Sequence, residues 1–240
     1  MLWLRVCTVV LAFSVLFVSP VCGHHLWVLE DEDGYVVARG KASERLDAYN
    51  PRCVKDFVAF SSDGTRIPSE EIQRVDAPEQ VRFRTSEKAS LVGVSCDWGY
   101  RVNTTKGKKF LTRSEAEKAG LHVINAFFST QYAKVFFNEG ARTMEAIGLR
   151  FELVPLKSPL QIAQGGELSL QVLFNQKPLP ETAIFTKDGH EFRADREGVC
   201  RVKVGEHGLQ LFMAKHKVPV KDDPTKDYHV YRTFLVFEVE

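Results

Sequence analysis

Alternation of apolar and polar residues with a period of two is the feature that most constrains this chain. Leu168, Leu170, Val172 and Phe174 alternate with Ser169, Gln171 and Leu173, and Leu209, Leu211 and Met213 alternate with Gln210, Phe212 and Ala214. Near the C-terminus Val230, Phe234 and Val236 fall on one face, with Tyr231, Leu235 and Phe237 on the other. Successive side chains of a strand point to opposite faces of its sheet, so these runs predict half-buried strands. Asp33-Gly34, Asp63-Gly64, Gly165-Gly166 and Asp188-Gly189 supply reversals between them. Many short strands punctuated by turns predict an all-β chain of antiparallel sandwiches instead of a parallel α/β sheet.

One short helix is expected in the first half. Thr112 or Ser114 can cap it, Glu115 and Glu117 complement its positive end, and Gly120 can close it. The run from Ser129 to Phe137 is rich in aromatic and β-branched residues, which favours strand. Val154-Pro155-Leu156-Lys157-Ser158-Pro159 predicts a boundary, giving domains over 24–155 and 156–240.

Residues 1–23 read as a secretory signal. Arg5 is followed by the 13-residue apolar stretch Val6–Val18 and by Ser19-Pro20-Val21-Cys22-Gly23. The stretch is too short to span ~30 Å of hydrocarbon, so no membrane span is expected once the signal is removed. Val21 and Gly23 at the cleavage-determining positions put the cut before His24. A lipid anchor at Cys22 is the alternative, opposed by the bulk of Val21. The expected location is the periplasm or the exterior.

The whole chain carries 32 Lys+Arg against 31 Asp+Glu, and loss of Arg5 leaves 31 against 31. A balanced chain has no basic surplus for a phosphate backbone, so nucleic acid is not an expected partner. Cys53, Cys96 and Cys200 remain after the signal. Cys53 and Cys96 are a candidate bridge, while Cys200, between apolar neighbours, reads as a buried free thiol. Asn103-Thr104-Thr105 fits a glycosylation acceptor in a eukaryotic host. The acidic run Glu30 to Asp33 reads as a solvated turn.

No G-x-S-x-G, P-loop, G-x-G-x-x-G or H-E-x-x-H pattern occurs, so no covalent chemistry is assigned. The histidines say more. Cleavage before His24 leaves His24-His25 at the start, where one residue offers an α-amine and an imidazole to the same ion. His25 is a further possible donor. His216 and His229 close and open the last two predicted strands, and a hairpin would bring their rings together at its loop end. Imidazoles so placed suit Ni, Co, Cu or Zn. His190 and His207 read as solvent-facing, and His122, after the helix, as packing.

Several segments together resemble an exported family found as the periplasmic component beside nickel and cobalt uptake systems. His24-His25-Leu26-Trp27-Val28 resembles its His-x-x-Trp-Leu beginning, and Tyr132-Ala133-Lys134-Val135 its mid-chain Tyr-Ala-Lys segment. Gly148 to Leu156 is similar to its Gly-Leu-x-Leu-Glu-Ile-Val-Pro-Leu junction, and Gly166 to Leu179 to its strand ending Gly-Lys-Pro-Leu. Arg193 to Gly198 stands where the family has Thr-Asp-x-x-Gly. The resemblance implies two antiparallel β-sandwich domains of the immunoglobulin-like or carboxypeptidase-regulatory-like kind, with the helix in the first. It also implies a metal role outside the cytoplasm. His24 maps onto the family's N-terminal histidine and His216 onto a less regular histidine position, while His229 rests on the hairpin alone.

The leading expectation is a periplasmic protein that captures Ni(II) or Co(II) for a membrane metal transporter and catalyses nothing. Its metal ligands would be His24, His25, His216 and His229. A second reading is a copper oxidase or monooxygenase with a terminal-histidine chelate, needing His122 or His216 to face His24. A third is a cell-surface protein-interaction module with incidental histidines.

Overall fold

Alternation along the strands is what lets one sheet serve two cores. The computed structural model describes residues 24–42, 44–140 and 142–239. The expected signal over 1–23, its cut before His24 and Cys22 lie outside the described residues.

The elements of the first half are β1 (His25–Asp31), β2 (Gly34–Lys41), β3 (Arg45–Leu46), β4 (Val54–Phe60), β5 (Ile72–Ala77), β6 (Gln80–Thr85), β7 (Leu91–Thr104), β8 (Gly107–Lys109), α1 (Arg113–Lys118) and β9 (Val123–Phe136). The second half adds β10 (Phe151–Pro155), β11 (Glu167–Phe174), β12 (Lys177–Pro178), β13 (Ala183–Thr186), β14 (Glu191–Arg193), β15 (Val199–Lys203), β16 (Gly208–Pro219) and β17 (Tyr228–Val239). The all-β expectation is met, and the ambiguous run after Ser129 is strand β9. The α1 cap is Thr112, which forms a capping box with Glu115. No helix among the described residues is long and apolar enough to cross a membrane.

Three sheets form. The N-terminal sheet runs β1-β2-β6-β5, with β3 on β2, and the C-terminal sheet runs β10-β11-β12, with β15 on β11. Between them an eight-stranded sheet runs β14-β13-β16-β17-β9-β7-β4, with β8 on β7. Its pairs are antiparallel except β17 with β9, which are parallel from Tyr228↔Phe127 to Val236↔Val135.

Alternate residues of this central sheet feed opposite cores. Val92, Val94, Ala133, Val135, Leu211, Met213, Phe234 and Val236 pack against the N-terminal sheet with Leu26, Val37, Val81 and Phe83. Their strand neighbours Leu91, Phe136, Phe212, Leu235 and Phe237 pack against the C-terminal sheet with Phe151, Leu153, Leu168 and Leu170.

The expected division at residue 155 is crossed by this arrangement. Strands from both sides of it share the central sheet. Pro155 is itself the last residue of β10, paired with Leu170, so it breaks nothing. Proline lacks an N–H to donate but can still end an edge strand, as it does here.

Candidate metal-capture cleft

His24 is the first described residue, and Asp47 holds its ring. Gly40 explains how Asp47 gets there. It has φ +142°, and a Cβ on it would lie 2.1 Å from the Arg45 carbonyl oxygen. Only glycine lets the chain fold back this tightly over β2, where the Asp47 N–H donates to the Arg39 carbonyl at 2.7 Å. Asp47 Oδ2 then lies 3.0 Å from His24 Nε2, while Arg45 Nη2 reaches Oδ1 at 2.9 Å. Asp47 is largely buried at 16% exposure and His24 is half exposed at 50%.

A carboxylate on one ring nitrogen fixes the orientation of an imidazole and leaves the other nitrogen for an ion. Here the nitrogen left is Nδ1, the one that can close a chelate ring with the residue's own α-amine. The ring pKa is lowered from 6.5, first by burial and then by Arg39, with Arg45 and Lys108 adding to the effect and Asp47 opposing it. The ring therefore stays neutral, with a lone pair to give, at neutral pH.

His24 and His25 line a cleft of about 660 Å³. Its other walls are the bend around Gly40 and Arg45 and the end of β13 with the turn that follows it, from Phe185 to Gly189, and Met213 of β16 also lines it. His25 is buried, edge-on to Phe234 at 6.1 Å between ring centroids. Its Nδ1 accepts the Ala42 N–H at 3.2 Å. The neutral ring then carries its proton on Nε2, opposite to the arrangement of a ligating histidine, which donates its second N–H outward. Burial first, then His24 and Lys41, lower its pKa. His25 braces β1 and is not set up as a ligand.

The last hairpin forms as expected, but it sets the histidine pair within its strands and among aromatic rings. β16 and β17 do form a hairpin, but they are longer than predicted, so both histidines sit inside it. His216 pairs with Tyr231 and His229 with Val218, a diagonal on the face of the central sheet away from the cleft. His229 stacks on Tyr231 at 4.0 Å, with the ring planes 3° apart. His216 packs edge-on to Phe174 at 4.7 Å. The Thr130 hydroxyl donates to Asp97 Oδ1 at 2.6 Å, so it accepts from His229 Nε2, 2.9 Å away. His216 and His229 thus belong to an aromatic cluster that His24 cannot reach through the sheet. No group of three or more His, Cys, Asp or Glu side chains among the described residues is placed to hold an ion.

Burial first, then Arg150 and Lys226, with Asp97 opposing, lower the pKa of His229 to about 4. A histidine depressed in the fold contributes stability above its unfolded pKa of ~6.5 and loses it as pH falls toward 4. After allowance for the ring's partial exposure, the expected loss over that window is about 1–2 kcal/mol. Urea unfolding at pH 7 and pH 4.5 measures it. The His229→Phe variant should lose less stability than the parent over the same window, and an equal loss would refute the assignment.

Other expectations change too. Cys53, Cys96 and Cys200 are all free thiols, so no bridge joins Cys53 to Cys96. The strand pairing sets Val54, not Cys53, opposite Cys96. Cys200 is buried as expected. The Asn103 side chain donates to Asn125 Oδ1 at 2.8 Å within the β7–β9 pairing, so it is engaged and does not stand free as an acceptor. The acidic run is exposed and turns at Glu32-Asp33 as expected, with Arg82 on Asp31, Arg84 on Asp33 and Lys88 on Glu30. His190 and His207 are exposed as expected. His122 is exposed instead of packed and is not among the residues lining the cleft.

Asp47 is the residue sequence reasoning missed. It lies 23 positions from His24, and only the glycine-dependent fold-back joins them. Asp97 and Thr130 were missed for a similar reason, since strand register alone brings them to His229.

No curated protein and no solved structure matches the chain. The profile of a family described as a domain of unknown function (DUF4198) matches residues 21–218, from before His24 to the last residue but one of β16. That match covers most of the sequence and both sides of residue 155, and the chain belongs to the DUF4198 family.

Proposed function

We propose that this is an exported protein that captures a divalent transition ion, Ni(II) or Co(II) before Cu or Zn, and hands it to a membrane transporter. The observation that carries the reading is the 3.0 Å contact of His24 Nε2 with Asp47, both of them lining the cleft, which leaves Nδ1 as the ring's donor. Removal of the signal before His24 would add the α-amine as second donor. His24 is then the principal ligand, Asp47 orients it, and the remaining coordination positions stay open to ligands the ion brings. Two protein donors suit capture and release better than a closed four-ligand cage, which holds its ion as part of the fold.

Calorimetry of Ni(II) binding to the protein beginning at His24 tests this. Asp47→Ala is expected to weaken binding about 10–100-fold, the usual cost of removing a partner behind a metal-bound histidine. A retained Met before His24 moves the amine away and should weaken binding as much or more. Both donors must be deprotonated to bind, so affinity should fall first as the α-amine protonates below about 8 and again as the ring protonates, below its ordinary value because burial and Arg39 lower it. Equal affinity for all forms would mean that His24 is not the ligand.

A further inference from the structure

Beyond the cleft, the face of the central sheet that carries Met213 becomes strongly cationic. Lys215 and Lys217 follow Met213 at two-residue intervals on β16, and Arg232 is the cross-strand partner of Lys215. Burial first, then Arg232, Lys217 and Lys108, all of one sign, lower the pKa of Lys215. Arg232 is mostly buried, and its Nη1 donates to Ser129 Oγ at 3.4 Å. No carboxylate among the described residues pairs with either. Gln131, the strand neighbour of Arg232, is buried with its Oε1 unpartnered. Lys108 acts on both Lys215 and His24, so the cationic face and the cleft adjoin.

A mostly buried cation without an acid, as Arg232 is, is costly unless a ligand neutralises it. A bare divalent cation approaching His24 would meet the positive charges of Arg39, Arg45 and Lys108 there, opposed by Asp47 and, along the cleft wall, by Glu44 and Asp188. A cleft of about 660 Å³ is also far larger than an ion needs.

We propose that the ion enters as a complex with a small polycarboxylate, whose free carboxylates rest on Lys108, Lys215 and Arg232 while His24 takes an open position on the metal. The inference rests on the reading of His24 as the metal ligand. It also supplies the coordination positions that His24 and the α-amine leave unfilled. No bond other than metal–ligand bonds forms or breaks, and the complex is released whole or with its water exchanged.

The test is calorimetry on the protein beginning at His24, with Ni(II), citrate, and preformed 1:1 Ni(II)–citrate as separate titrants. Ni(II)–citrate is expected to bind about tenfold or more tightly than Ni(II), the ratio expected of one or two charge-assisted contacts. The double variant Lys108→Gln/Lys215→Gln changes two exposed positions and should fold. It should lose that gain while binding bare Ni(II) no more weakly than the parent. Arg232→Gln should act alike, but the exposed pair keeps the test valid if that buried change unfolds the protein. Equal affinity for Ni(II) and Ni(II)–citrate would overturn the inference and leave the metal reading standing. So would a gain that survives in the double variant, or citrate alone binding as tightly as its complex. Failure of both metal forms to bind would overturn the metal reading as well.

Discussion

Replacing Lys134 by methionine is expected to destabilise the protein by about 3–5 kcal/mol, the range for breaking a buried ion pair from one side. Lys134 of β9 and Glu152 of β10 are both fully buried, with Nζ 2.9 Å from Oε1. Nζ also donates to the Glu145 carbonyl. Glu152 accepts the Ile147 N–H at 2.9 Å on Oε1 and the Leu149 N–H at 3.2 Å on Oε2. The pair therefore pins the 145–149 turn and joins the central sheet to the C-terminal one. Gly93, paired with Lys134, makes room, since a Cβ there would lie 2.7 Å from Ile147 Cδ1. Methionine leaves a buried carboxylate with two amide donors but no cation. Adding Glu152→Gln removes that charge while keeping an acceptor for one amide, so the double variant should lose clearly less than the sum of the singles. Urea unfolding of the four proteins gives the cycle. A single-variant loss under about 1 kcal/mol, or strict additivity, would contradict this role for the pair.

Cutting the chain at residue 155 is expected to leave neither part folded. Residues 24–155 lack β16 and β17, and with them Leu211, Met213, Phe234 and Val236 of the core against the N-terminal sheet. Four such side chains are worth about 6–12 kcal/mol of burial, as much as the whole stability of an ordinary domain. Residues 156–240 lack β9, which pairs with β17 along nine residues, and β10 of the C-terminal sheet. The intact protein should accordingly unfold in a single calorimetric transition. A folded fragment, or two separated transitions, would show that the halves are independent.

Local patterns made the strands legible, and the turns and the α1 cap with them. Leu168 to Phe174 and Val230 to Phe237 announce strands because each side chain answers only to the sheet it stands on. What those patterns did not carry is which sheet covers each face. The two faces of β16 and β17 read as one sandwich, yet each faces a different partner layer, a fact set by the long-range parallel pairing of β17 with β9. Val154-Pro155 misled for a related reason, because proline ends an edge strand as readily as it marks a linker.

The candidate site divides similarly. His24 stood out through its place after the expected cut, and the structure supplies its carboxylate. His216 and His229 were correctly set on one hairpin, but the strands extend past them. Hydrogen bonding to Thr130 and stacking on Tyr231 then turn His229 into a packed, neutral ring. Nothing in sequence spacing distinguishes a histidine held by a threonine from one free to bind an ion.

Placing the ion decides the central claim. In NMR spectra of the protein beginning at His24 loaded with paramagnetic Co(II), the largest shifts should centre on the cleft, at Gly40, Asp47, Thr186 and Gly189, and fade across the central sheet. Shifts centred instead on His216 and His229, on the other face of the sheet, would contradict capture at His24.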